Sequence, residues 1–273
     1  MNEFLHFLDA QMEQPVSYGW FHLTAVALVL LTTVLLCRRA KDVKDKRFRL
    51  IVFLFWLVLV LFEAYKQINF SFHYNEGDPY WDYQWYAFPF QMCSSPLYVL
   101  PFVFLSKEGS AIRKSAVAYS ATYVLFAGIA VMIYPNDVFI RTIGINIQTM
   151  VWHGSQVILG CYFLARYRRE LKLGFFAAGI VTFVLMVGAA MALNMIVPNF
   201  TDETFNMFYI SPLFPSTLPV LSMFWGKMPW IVFLALYLVG YTLAALIVYI
   251  VAKGICCAIS SEAKQPKRKK AVA

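Results

Sequence analysis

Seven runs of predominantly apolar side chains recur along the chain, at Trp20–Cys37, Leu50–Phe62, Phe88–Leu105, Ala116–Tyr134, Ile147–Ala165, Leu173–Val197 and Pro229–Ala252. About 20 mostly apolar residues are needed for a helix to cross roughly 30 Å of hydrocarbon, and these runs have that scale. The pattern predicts an all-α, polytopic membrane protein with seven transmembrane helices and no room for an eighth. No internal repeat interrupts the series. The expected organisation is therefore one helical domain over residues 20–252, an N-terminal segment 1–19 and a basic tail 253–273.

Composition narrows the class further. The chain is 60% apolar and only 14% charged, against roughly 45–50% apolar for soluble domains, and its mean hydropathy is +0.63. A soluble core of 273 residues cannot hide that much apolar side chain, which excludes an ordinary cytosolic enzyme.

The charges orient the bundle. Basic residues cluster in the loop after the first run (Arg38, Arg39, Lys41, Lys44, Lys46, Arg47, Arg49), in the third and fifth loops, and in the tail (Lys264, Lys267, Arg268, Lys269, Lys270). One side holds 20 of the 23 basic residues with five acids, the other three with ten acids, so the +8 total divides as +15 and −7. The positive-inside rule then puts the N-terminus outside and the C-terminus in the cytoplasm. The +8 describes orientation, so no nucleic-acid partner is expected; the tail is expected to rest against anionic lipid headgroups. The first 19 residues contain no Lys or Arg, so no cleavable signal peptide is expected and the first run itself inserts. A bacterial plasma membrane is the expected location.

The five cysteines show neither disulfide nor metal spacing, and no metal or cofactor is expected. Cys37, Cys161, Cys256 and Cys257 fall toward the inner ends of the runs and read as small apolar fillers. Cys93 differs. It and His153 stand about five and six residues into the third and fifth runs, roughly 8–9 Å below the outer interface at the helical rise. His22, Glu63 and Asn194 reach the same layer from the outer ends of three further runs. Polar groups at membrane depth are costly and mark functional sites. A thiol beside an imidazole forms a nucleophile and base pair that attacks acyl carbonyls. Glu63 or Asn194 can orient His153, and Gln91, His22 or Asn194 side chains can meet an oxyanion, because backbone N–H groups inside a span are already bonded. Gln156, one turn below His153, reads as a residue that holds helices together. Two aromatic-rich outer loops, residues 70–90 and 198–230, either form an interfacial belt or fold over the mouth of the bundle. Tyr209 in the second either contacts a lipid headgroup or anchors that interface.

The segments Phe88-Pro89-Phe90-Gln91-Met92-Cys93, Trp152-His153-Gly154, Asn206-Met207-Phe208-Tyr209-Ile210-Ser211-Pro212 and Met228-Pro229-Trp230, with His22 after Gly19-Trp20-Phe21 and Glu63 closing the second run, occur in one order. Together they resemble the YwaF-like integral membrane family of bacteria, whose animal relatives are TMEM-type transmembrane acyltransferases of ether phospholipids. The resemblance covers about residues 18–250. It implies that Cys93 accepts a fatty acyl group as a thioester, that His153 is its general base, and that the acyl chain passes from a membrane phospholipid to a lysophospholipid. This chain has Gln91 where the bacterial pattern usually carries His; an amide hydrogen-bonds but does not titrate. Asn206 and Tyr209 belong to the family-like segment and are candidate substrate contacts.

Position within the membrane favours the same substrates: a thiol at that depth meets glycerol esters from the side, whereas acyl-CoA approaches from the cytoplasm. The alternative class is a seven-helix receptor or carrier for a lipid or small ligand. Short cytoplasmic loops with no output domain weigh against a receptor. The absence of inverted repeats or broken helix pairs weighs against a transporter.

Overall fold

The computed structural model describes residues 2–75 and 78–262. Glu76 and the tail beyond Glu262 lie outside the described residues, as do the side chains of Cys256 and Cys257, so the lipid-headgroup expectation for the tail and the filler reading of those thiols have no structural counterpart.

The described chain is mostly helical. A short helix α1 (Asn2–Leu8) precedes α2 (Trp20–Cys37) and α3 (Asp45–Ser71). An antiparallel hairpin of β1 (Phe72–Asn75) and β2 (Asp78–Trp81), with Phe72 opposite Trp81, follows. Then come α4 (Pro96–Leu105), α5 (Ala111–Tyr119), a π-helical turn (Ser120–Val124), α6 (Leu125–Ile133), α7 (Ile143–Arg166), α8 (Leu173–Ile196) and α9 (Trp230–Glu262). The hairpin is a departure from the purely helical expectation. It forms where Phe72, Tyr74, Tyr80 and Trp81 supply aromatic side chains suited to a pleated surface.

Five helical segments are long and apolar enough to cross a membrane: Trp20–Cys37, Asp45–Ser71, Ala111–Ile133, Leu173–Asn199 and Trp230–Ile255. Two expected spans differ. The run at Phe88–Leu105 becomes a helix only from Pro96, giving 10 residues, about 15 Å or half the hydrocarbon thickness. The fifth run is a helix of 24 residues, but Asn146, Gln148, Thr149, His153, Ser155 and Gln156 are all buried along it. α7 therefore has a polar centre wrapped by other helices, and it packs against α2, α6 and the π turn.

The second run is longer than expected at both ends. Glu63, Lys66 and Gln67 consequently lie within α3, about one to two turns before its end, and not at a solvated helix terminus. At the opposite, basic end, Asp45 pairs with both Arg49 and the buried Arg113. The Phe48 ring is held between the Arg113 and Arg166 guanidinium groups at 4.8 and 4.6 Å, and Arg166 also donates to the Val43 carbonyl. Two of the orienting cations are thus structural ties as well. Near the chain start, Ala10 and Met12 hydrogen-bond to Ile143 and Arg141, pinning the segment before α2 to the entrance of α7.

Candidate functional site

The segment carrying Cys93 is irregular for local reasons. Phe88, just before Pro89, is extended at ψ 134°, as the proline ring requires of its predecessor. Gln91 remains extended, Met92–Ser94 makes one 3-10 turn, and Pro96 opens α4 at a position where a missing N–H costs nothing. Cys93 therefore stands in the turn that enters α4, not five residues inside a membrane helix. The backbone donors beside it are nevertheless spent, as expected: Ser94 N–H and Ser95 N–H donate to the Gln91 and Met92 carbonyls, and Pro96 has no N–H.

α7 grips this turn. The Cys93 carbonyl accepts hydrogen bonds from Trp152 Nε1 at 2.8 Å and from Gln156 Nε2 at 2.6 Å. His153 follows Trp152 in the sequence and stands beside Gln156, about 60° round the helix from it. It is 7% exposed, and its Nδ1 is buried without a hydrogen-bond partner among the described residues. Behind it, α6 approaches so closely that a Cβ on Gly128 would lie 2.8 Å from the Gln156 Cβ and 2.9 Å from the His153 carbonyl. Glycine at 128 sets how near α6 comes to the Cys93 end of α7.

α3 contributes charge. Glu63 Oε1 accepts from Lys66 Nζ at 2.8 Å and from Gln67 Nε2 at 2.7 Å. Gln67 also donates to the Ala87 carbonyl, tying α3 to the segment that leads to Cys93. Glu63 Oε2 is buried without a partner among the described residues. The charges of Lys66 and Glu63 both reach the Cys93 sulfur, and that of Lys66 also reaches His153.

The third component is the loop between α8 and α9, which tucks into the bundle. Phe208 and Tyr209 both adopt left-handed backbone angles, φ 58° and 57°, a conformation that costs non-glycine residues of order 1–3 kcal/mol each and persists only under external constraint. The constraint is explicit. Gln91 Nε2 donates to the Asn206 carbonyl at 2.9 Å while Gln91 Oε1 accepts from the Phe208 N–H at 2.8 Å. Asn194 does the same for Met207, at 2.9 and 2.7 Å. Asn206 closes the turn by accepting from Ser211 N–H and donating to the Phe214 and Pro215 carbonyls. The clamped turn holds Tyr209 near Cys93. Burial chiefly, and Cys93 in addition, hold its hydroxyl above the ordinary phenol range, so at neutral pH it is an O–H donor.

Of the residues singled out from the sequence, Cys93, His153, Glu63 and Tyr209 thus share one region. Gln91, Asn194 and Asn206 are brought together as the clamp on the 206–211 turn, with both side-chain atoms of Gln91 and of Asn194 already bonded to backbone. Their amides are thus engaged in holding the turn, with one N–H left on each nitrogen. His22 lies elsewhere: its Nδ1 accepts from the Tyr18 N–H and its Nε2 bonds the Met132 carbonyl, fastening α2 to the end of α6. It has no nitrogen left for an oxyanion. Three participants lacked a usable signal in the sequence. Nothing in the sequence assigns Lys66 a role, Trp152 and Phe208 stand in the family-like segments without one, and the strain at Phe208 depends on contacts more than 100 positions away.

No group of three or more His, Cys, Asp or Glu that could hold a metal occurs among the described residues. Between α2, α3 and α7 runs an apolar groove of about 770 Å³, lined by Ala25, Val29, Phe55, Val58, Ile147 and Gly154 among others.

No curated protein and no solved structure matches the chain. The model of the TMEM164 family matches residues 17–252, a range that holds Cys93, the His153 helix, the α3 charges and the clamped turn. By that match the chain, a multi-pass membrane protein, belongs to the TMEM164 family.

Proposed function

We propose that this protein is an integral membrane acyltransferase that moves a fatty acyl group from a phospholipid to a lysophospholipid through a thioester on Cys93. The observation that carries the reading is the double hydrogen bond from Trp152 and Gln156 to the Cys93 carbonyl, with His153 next to both on the helix and its Nδ1 unpartnered among the described residues. In this reading His153 takes the Cys93 thiol proton and the thiolate attacks the ester carbonyl of the donor lipid. The ester C–O bond breaks, and the proton passes from His153 to the departing alkoxide. The acceptor hydroxyl then loses its proton to His153, attacks the thioester and returns the thiol. Lys66, the Tyr209 hydroxyl and the N-terminal end of α4 supply positive potential for the oxyanion.

The same reading carries seven membrane passes, with α4 and α7 completing the five long apolar segments, the N-terminus outside and the C-terminus cytoplasmic in a bacterial plasma membrane. It also carries kinship with the YwaF-like proteins of bacteria. Phospholipids and lysophospholipids are its partners. The apolar groove beside Gly154 supports a lipid occupant, and it equally supports the second reading, a lipid carrier without catalysis.

The two readings part in liposomes. With a donor phospholipid carrying a labelled chain and an unlabelled lysophospholipid, the purified full chain is expected to move label to the acceptor without acyl-CoA. Lys66→Gln is expected to slow this about tenfold, the loss of one charge-assisted contact. Label that stays on the donor contradicts the enzyme and leaves the carrier.

A further inference from the structure

A second cleft, of about 450 Å³, opens at the end of the bundle where α3 meets the hairpin, and the reaction described above does not use it. Its walls include the aromatic rings of Phe70, Phe72, Tyr74 and Tyr86, together with His73 and the carboxylate of Asp9. No Lys or Arg among the described residues lines it.

The walls are built. α1 covers one side, with Leu5 buried and the His6 ring stacked on Tyr74 at 4.4 Å and 9°. Asp9 is exposed but held in place: its Oδ1 accepts from Gln11 Nε2 at 3.0 Å, Thr142 Oγ1 at 3.1 Å and Asn69 Nδ2 at 3.5 Å. Its Oδ2 has no hydrogen-bond partner among the described residues. His73 spends Nε2 on the Gln84 side chain.

We propose that this cleft binds an organic ammonium group. Aromatic faces attract cations through their quadrupole and reject anions, and one carboxylate adds a full opposite charge. The volume lies within the range of small-molecule sites, far larger than a bare ion needs, so the cation it fits carries alkyl groups. An apolar chain gains nothing from a carboxylate held by three donors, and an anion is repelled by it. The same chemistry arrives either as the amine of a lipid headgroup or as a free quaternary ammonium solute. The proposal is independent of acyl transfer, because binding is read without turnover.

The test uses the full chain in nanodiscs of phosphatidylglycerol, which carries no amine, titrated with choline. Saturable binding is expected, with the neutral isostere 3,3-dimethyl-1-butanol at least tenfold weaker. Asp9→Asn and Tyr86→Leu are each expected to weaken choline binding tenfold or more. Tyr86 is 54% exposed, so its replacement leaves the fold intact even if Asp9→Asn loosens the segment before α2. Repeating the titration in phosphatidylcholine nanodiscs separates the sources: lost choline binding assigns the cleft to the lipid headgroup, and retained binding assigns it to a free solute. Absence of saturable binding in phosphatidylglycerol, equal binding of the isostere, or unchanged affinity in Tyr86→Leu overturns the proposal.

Discussion

Cys93→Ala is expected to reduce acyl exchange in liposomes by on the order of 10³-fold or more, and His153→Ala by about 10²–10⁴-fold, while both proteins still fold. The argument for retained folding is specific. What α7 holds is the Cys93 backbone carbonyl, through Trp152 and Gln156, and alanine keeps that carbonyl. His153 leaves Nδ1 unbonded among the described residues, so its removal breaks no hydrogen bond at that atom; His153→Gln, which fills most of the same space, serves as the companion variant should the alanine cavity loosen α7. The checks are label transfer from donor phospholipid to lysophospholipid and the thermal unfolding midpoint in detergent. Exchange within tenfold of wild type in Cys93→Ala removes the covalent route.

The second large effect is on stability. Asn194→Leu is expected to cost about 2–4 kcal/mol, because it strips the Met207 N–H of its partner and leaves the Met207 carbonyl only the long 3.5 Å bond from Ile210 N–H. Met207 is fully buried, so its N–H cannot turn to water instead, and an orphaned buried donor costs about 1–3 kcal/mol. The loss is amplified by what the clamp restrains: with Met207 released, the left-handed Phe208 and Tyr209 relax, and Tyr209 leaves the neighbourhood of Cys93. The variant should therefore unfold at lower temperature and also exchange acyl groups more slowly. An unchanged midpoint would mean that the turn is held by packing of Phe205 and Phe208 alone.

Much of the helical architecture was legible in the sequence because apolar runs of membrane length have few other solutions. Trp20–Cys37 matches α2 residue for residue, and the run from Leu173 ends within one residue of α8. The failures have particular causes. In the third run, apolar content continues through Phe88–Phe90 although Pro89 already prevents a helix there, so composition and backbone geometry disagree and geometry prevails. In α3 the helix carries polar residues past Phe62 because Glu63, Lys66 and Gln67 satisfy one another and the Ala87 carbonyl; a hydropathy pattern reads the same residues as the end of a span.

The site was legible in part for a similar reason. Polar residues at one depth are visible in a sequence, but their partners are not. Gln91, Asn194 and His22 have the chemistry of oxyanion donors, and only the folded chain shows their atoms bonded to the backbone of Asn206, Met207, Phe208, Tyr18 and Met132. Gln156 joins helices as its polarity implied, and its partner proves to be the carbonyl of Cys93 itself.

The central claim is a covalent acyl group on Cys93, and intact-protein mass spectrometry tests it most directly. After the full chain is mixed with donor phospholipid in the absence of acceptor, a mass increase of one fatty acyl group is expected. It should be released by neutral hydroxylamine, map to the peptide containing Cys93, and disappear on addition of lysophospholipid. An unmodified Cys93 peptide under conditions in which label does reach the acceptor would contradict the account.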